Sequence, residues 1–110
     1  MKVLFYKTAS GRSPVEDFMK TLSTADQGRF RDVYEGITEY GLECPRVIFR
    51  QLSGKLWEIK FNSEGGKYRI AYLVVDKELM IWLHAFKKAT QRTPHNDLAV
   101  AEKRMAEVFS

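Results

Sequence analysis

This chain is poor in the residues that staple or metallate small proteins. Cys44 is its only cysteine, so no internal disulfide can form, and the paired cysteines of ordinary zinc sites are missing. No cluster of Asp, Glu and His has metal-ligand spacing, which argues against a two-metal nuclease. No metal and no cofactor are expected. Long apolar runs are absent too, and none approaches the ~20 residues of a transmembrane helix. Lys7, Arg12 and Glu16 interrupt the N-terminal stretch too early for a secretory signal. With neither a membrane segment nor a disulfide framework, the expected location is the cytoplasm, with no membrane partner. Repeats, linkers and low-complexity tracts are also lacking. Residues 1–110 therefore read as a single domain, large enough for one core to stand without staples.

What is present is positive charge, unevenly placed. The chain has 18 Lys/Arg against 14 Asp/Glu. Residues 1–43 hold six cations against seven acids, residues 94–110 two against three, and residues 44–93 ten against four. The whole excess lies in the central segment. Nucleic acid is the commonest partner of such a patch, because each neutralised phosphate releases condensed counterions. An acidic protein surface would serve equally well.

Periodicity divides the chain. Lys2 to Tyr6 reads as a short strand. Ser13-Pro14-Val15-Glu16 offers a cap, a proline suited to the first helical position and an acid where a capping box wants it. Val15, Phe18, Met19 and Leu22 then share one helix face. A second helix starts near Thr24, with Gln27 three residues on, and stops at Gly41. Its stripe of Phe30, Val33, Tyr34, Ile37 and Tyr40 reads as core. Strands follow Cys44-Pro45 at Val47 to Gln51, Lys55 to Phe61, Lys67 to Val75 and Glu78 to Phe86. Ser53-Gly54 and Asp76-Lys77 are turns. Gly65-Gly66 reads as a flexible turn and not a phosphate cradle, because no helix N-terminus follows it. Thr93-Pro94 opens a last helix with the stripe Leu98, Ala101, Met105 and Val108, while Lys103 and Arg104 lie off it, and their replacement by alanine is expected to leave stability and cleavage nearly unchanged. The expected class is α+β: an N-terminal strand and a helical hairpin packed on an antiparallel sheet, with a C-terminal helix.

Three of the strands carry cations. Period two puts Trp57, Ile59 and Phe61 on one side and Glu58 and Lys60 on the other. Arg69 interrupts a run in which Ile70, Tyr72 and Val74 alternate, and Lys87 and Lys88 finish a third strand. Such a sheet is either a seat for a polyanion or a solvated face, and spacing leaves both open.

Four blocks go further: Leu56-Trp57-Glu58-Ile59-Lys60, Tyr68-Arg69-Ile70, Leu83-His84-Ala85-Phe86-Lys87-Lys88-Ala89 and Thr90-Gln91-Arg92-Thr93-Pro94. In this order they resemble the RelE/ParE superfamily of type II toxins, most closely its phage-related, HigB-like branch, over essentially the whole chain. Lys60 stands where the branch often has Arg, Ala85 replaces a Gly and Ala89 replaces a third Lys. The resemblance implies a RelE-like fold and an inhibitor of translation that cleaves messenger RNA in the ribosomal decoding site. It also implies a cognate helix-turn-helix antitoxin.

RNA cleavage without a metal needs the 2′-hydroxyl deprotonated, the pentacoordinate phosphate stabilised and the 5′-oxygen protonated as it leaves. Arg69 is the candidate for the phosphate, since a guanidinium matches its geometry and stays charged; its other reading is a cross-strand partner for Glu58. Lys60 and Lys87 are candidate proton carriers, because crowded cations lower a lysine pKa. Glu58 is a candidate base or an orienting group. His84 titrates in the right range, with a satisfied core histidine among Met80, Trp82 and Phe86 as the competing reading. His95 reads as exposed and Cys44 as structural. Lys55, Lys88, Arg50 and Arg92 form a candidate outer ring of RNA-phosphate contacts. Two further readings stay open: a ParE-like gyrase inhibitor, which shares the fold but lacks the basic catalytic face, and a non-enzymatic phage-related binding module.

Overall fold

Local signals set the helices of the computed structural model, which describes residues 1–89 and 92–110. The Ser13 hydroxyl accepts from the Glu16 amide at 3.5 Å and Pro14 opens α1 (Pro14–Lys20). The Ser23 hydroxyl accepts from the Asp26 amide at 3.2 Å to start α2 (Thr24–Tyr40). Gly41, at φ +61, ends that helix, a conformation that costs glycine little. The capping group is thus Ser23, and Gln27 instead donates to the Leu22 carbonyl at 2.9 Å. The remaining elements are β1 (Lys2–Phe5), a single 3-10 turn at Gly41–Glu43, β2 (Ile48–Ser53), β3 (Leu56–Ser63), β4 (Gly66–Asp76), β5 (Leu79–Lys88) and α3 (His95–Phe109).

The five strands form one sheet in the order β1-β5-β4-β3-β2. Strands β2 to β5 are an antiparallel meander, as the turn signals suggest. The N-terminal strand joins this antiparallel meander at its edge, where β1 pairs with β5 in parallel, with Lys2 opposite Leu79 and Phe5 opposite Trp82. Two helices and the whole meander separate β1 from its partner, so no tight turn imposes the antiparallel direction.

Helices cover both faces of the sheet. Phe30, Val33 and Ile37 of α2 pack with Ile59, Phe61, Tyr68, Tyr72 and Trp82 on one face. Tyr34 and Tyr40 do not join that core as expected: they are 36% and 53% exposed. Tyr34 lies at the flank, edge-on to Trp82 at 6.0 Å. On the other face α3 covers Leu56, Ala71, Leu73 and Leu83 with Ala101, flanked by Leu98, Met105 and Val108.

A bulge in β5 decides which side chains reach which face. Ala71 is opposite His84 and Tyr72 is opposite Trp82, so Leu83 is an extra residue. Before it, Met80 and Trp82 face α1 and α2 while Ile81 and Leu83 face α3. After it, His84, Phe86 and Lys88 share the α3 side with their partners Ala71, Arg69 and Lys67. Straight alternation had grouped His84 with Met80 and Trp82; the bulge separates them.

Candidate nucleic-acid interface

Cations converge at the end of the sheet where β2 begins, β3 turns into β4 and β5 ends. Lys60 is opposite Arg69 and Lys67 is opposite Lys88, past the stretch that α3 covers. A cavity of about 450 Å³ is lined there by Lys60, Gly66, Lys67, Arg69, Lys87, Lys88 and Ala89. A second, of about 480 Å³, shares Lys60, Lys67 and Arg69 and adds Arg29, Arg46, Val47, Ile48, Phe61 and Asn62. Together they form a groove lined by seven Lys and Arg and no Asp or Glu. A larger hollow of about 730 Å³ between β1 and the helices is mainly apolar, with Leu4, Met19 and Tyr34 in its wall. It gathers no charge of one sign.

The β3–β4 turn at the groove is held from behind by a residue that the sequence reading missed. Asp26, buried in the first turn of α2, accepts from the Gly65 amide at 3.1 Å and from the hydroxyls of Ser63 and Tyr68 at 2.5 Å each. These bonds, the Ser63 hydroxyl first, hold its carboxyl below the ordinary range. A Cβ at Gly65 would fall 2.0 Å from Asp26 Oδ2. Gly65 is therefore a close-approach glycine in a tethered turn, which corrects the expectation of a flexible one. At Gly66 a Cβ would fall 2.7 Å from Lys87 Cε, so the missing side chain gives Lys87 its route into the groove. An acid in a first helical turn signals a dipole partner, and nothing else in the sequence marked Asp26.

Behind the groove lies a buried charge cluster. Glu58 is fully buried, and Arg69 and Lys88 are each 6% exposed. Arg69 Nε is 3.9 Å from Glu58 Oε1, and Arg50 Nη2 is 3.1 Å from the same oxygen. The Thr93 hydroxyl donates to Oε2 at 2.9 Å, and Arg69 Nη1 donates to the Tyr68 carbonyl at 2.9 Å. Neither Oε1 nor Nε has hydrogen-bond geometry with any described residue, so the Glu58–Arg69 attraction is purely Coulombic. Glu58 is thus closed off from solvent and lies within ion-pair range of Arg50 and Arg69. Burial pulls the Arg69 guanidinium below its ordinary value, partly opposed by Glu58. Burial also pulls the Lys88 ammonium below the lysine range, reinforced by Arg69 and opposed by Glu58. Lys88, which spacing had placed in the outer ring, is thus enclosed with the charge cluster.

His84 sits apart in a relay that ties β5 to α3. Arg104 Nη1 lies 3.2 Å from Nδ1 and also donates to the Leu83 carbonyl at 2.9 Å, while Nε2 lies 2.7 Å from Asp97 Oδ1. Arginine can only donate and a carboxylate only accepts, so Nδ1 is the acceptor and Nε2 carries the proton. Burial lowers the His84 pKa despite the opposing pull of Asp97. Both ring nitrogens are engaged. Arg104, expected from its place off the stripe to matter little for stability, also lies 5.3 Å over the Tyr6 ring, because its long side chain reaches back across the helix edge.

The groove therefore brings together Lys60, Arg69, Lys87 and Lys88 from the sequence reading, with Glu58 and Arg50 behind them. It does not include Lys55, whose ammonium lies over Phe109 at 5.2 Å, beside a separate hollow lined by Trp57 and Tyr72. Arg92 and His95 are exposed at the approach to α3 and Cys44 is buried. Thr90 and Gln91 of the fourth sequence block lie outside the described residues. Arg29, Arg46 and Lys67 were not anticipated; the first two reach the groove from α2 and from the loop before β2. Among the described residues no group of three or more His, Cys, Asp or Glu gathers that could hold a metal ion, and no helix is long and apolar enough to cross a membrane.

Fold and site together define a small α+β protein with a cation-lined groove at one end of its sheet. The family model described as phage-derived protein Gp49-like (DUF891) matches residues 17–106, and the chain belongs to that family, which is associated with toxin-like proteins. No curated protein matches the chain.

Proposed function

We propose that this protein is the toxin of a type II toxin–antitoxin pair, acting in the cytoplasm as a metal-independent, ribosome-dependent messenger-RNA endoribonuclease. Its partners on this reading are the ribosome, the message and a cognate helix-turn-helix antitoxin. The groove carries the proposal: seven cations and no acid line one cleft at the end of the sheet, which suits a phosphate backbone.

In the reaction the RNA 2′-oxygen attacks the adjacent phosphorus, the P–O5′ bond breaks, and a 2′,3′-cyclic phosphate and a 5′-hydroxyl result. Lys88, its ammonium destabilised by burial, takes the 2′ proton. Arg69 meets the charge that develops on the equatorial oxygens. A preorganised donor of this kind is typically worth about 2.7–4 kcal/mol in the transition state. Lys60 and Lys87 neutralise the phosphate, and Lys87, reaching in past Gly66, returns a proton to the 5′-oxygen. Glu58 keeps the Arg69 fork in place from beneath.

Mapping transcript 5′ ends after brief induction tests the proposal. Wild-type protein should cut translated messages in register with codons. Arg69→Lys keeps a cation against the buried Glu58 but removes the planar fork, and should lower cleavage by about 10²-fold or more. Full cleavage in a folded Arg69→Lys variant would remove the guanidinium from the mechanism. Inhibited growth with uncut messages and loss of negative DNA supercoiling would mean gyrase poisoning instead.

A further inference from the structure

The two lobes of the groove differ in kind. The lobe around Gly66, Lys87 and Lys88 offers charge and backbone alone. The other has a flat surface and an apolar lip. Arg29 reaches it from α2 with its guanidinium locked in place: Nε donates to the Asn62 carbonyl at 3.2 Å and Nη2 to the Arg46 carbonyl at 2.9 Å. The guanidinium carbon lies 5.4 Å from the centroid of the Phe61 ring. Arg46, whose carbonyl Arg29 grips, is the one non-glycine residue at positive φ (+66°) among the described residues, a backbone state that L residues seldom adopt without a tertiary reason. Its exposed guanidinium has no hydrogen-bond or ion-pair partner among the described residues. Ile48, at the lip, is 61% exposed.

We propose that this second lobe is a nucleotide subsite, in which the base next to the cleaved bond stacks on the Arg29 guanidinium beside Ile48 and its phosphate rests on Arg46. The identity of the ligand rests on the endoribonuclease reading; the two-part shape of the groove does not. Guanidinium planes are common platforms for splayed bases, and a plane already fixed by two hydrogen bonds and a ring loses little freedom when a base lands on it. A duplex keeps its base faces stacked, so the ligand class is single-stranded RNA of at least two nucleotides, gripped at two phosphates and read at one base.

Fluorescence anisotropy on the full chain tests this with a short labelled RNA whose 2′-O-methyl sugars prevent cleavage, and with versions carrying one abasic sugar at each position in turn. For wild-type protein one abasic position should weaken binding about tenfold, the usual scale of a lost base stack, while the others change it little. Arg29→Lys keeps the charge and removes the plane, so in that variant the same abasic position should cost less than twofold. Arg46→Ala should weaken intact and abasic RNA alike and make the slope of log affinity on log salt shallower by about 0.7. If Arg29→Lys does not fold, Ile48→Ser at its exposed position carries the test, with an expected abasic penalty of about half the wild-type value on a logarithmic scale.

Equal binding of every abasic RNA, or an abasic penalty unchanged in these variants, overturns the subsite. If Lys60→Ala and Lys87→Ala still abolish RNA binding in that case, the groove remains the RNA contact and only the base contact is lost. Absence of RNA binding by wild-type protein removes the subsite outright, while the codon-register cleavage map judges the enzyme separately.

Discussion

The two faces of the sheet are built from different materials. Beneath α1 and α2 the core is aromatic: Phe30 meets Phe61 edge-on at 4.9 Å between centroids, and Phe5 stacks on Trp82 at 5.2 Å. Beneath α3 it is aliphatic and small, with Leu56, Ala71, Leu73 and Leu83 against Ala101. That thinner face is also where Glu58, Arg69 and Lys88 are buried. Taking such charges out of water is costly, and a pair that lacks ideal geometry does not recover the whole cost. The contrast teaches that burial of apolar area is concentrated on one face, while the other encloses the charge cluster of Glu58, Arg69 and Lys88.

Phe30→Ala should break the contrast most severely, costing about 3–5 kcal/mol, a large share of a small domain's total stability. Chemical denaturation measures it, and a cost below about 1 kcal/mol would mean that the aromatic face is not the main support. On the other face Arg104→Ala should cost about 1–3 kcal/mol by leaving the Leu83 carbonyl and His84 Nδ1 without their donor. Its neighbour Lys103, exposed on the outer side of α3, should tolerate alanine within about 0.5 kcal/mol. Equal effects of the two substitutions would show that the relay is decorative.

The smallest expected effect is on pH dependence, and it too separates the faces. The folded pKa of His84 lies below its ordinary value, so on acidification the unfolded chain takes up the proton first. Stability should be level above about pH 6.5 and fall as the pH drops from there through the lower folded value. His84→Gln should flatten that window. Asp26, also depressed, acts in the same direction at more acidic pH: its contribution is full above the ordinary carboxylate value and is lost as the pH falls through the folded one. Midpoints of urea denaturation across the pH range measure both, and an unchanged slope in His84→Gln would assign the near-neutral window to another group.

Much of this was legible because it is local. Ser13, Pro14 and Gly41 act within a turn of the helix end they mark, and the stripes Phe30-Val33-Ile37 and Leu98-Ala101-Met105 follow from helical period alone. Lys60, Arg69 and Lys87 could be grouped because a meander brings consecutive strands side by side. The rest depends on packing that no short window contains. Nothing near Arg29 or Arg46 says that α2 and the loop before β2 approach the same sheet end. Glu58 and Lys88 look like surface charges until Thr93 and Arg50 close over the one and the strand ends enclose the other. A one-residue bulge has no composition of its own, so the facing of His84 was misjudged by simple alternation.

That bulge gives β5 one residue of slack. With a straight ladder continued from Trp82, Lys87 and not Lys88 would stand opposite Lys67, and the buried and the entering lysine would exchange places. Loss of one residue between Leu83 and Phe86 can be absorbed by flattening the bulge, with both lysines still on their present sides. Gain of one residue has no such reserve. In this strand the order of side chains is therefore less vulnerable than their count, and the tolerance is lopsided: the groove accepts a shorter β5 more readily than a longer one.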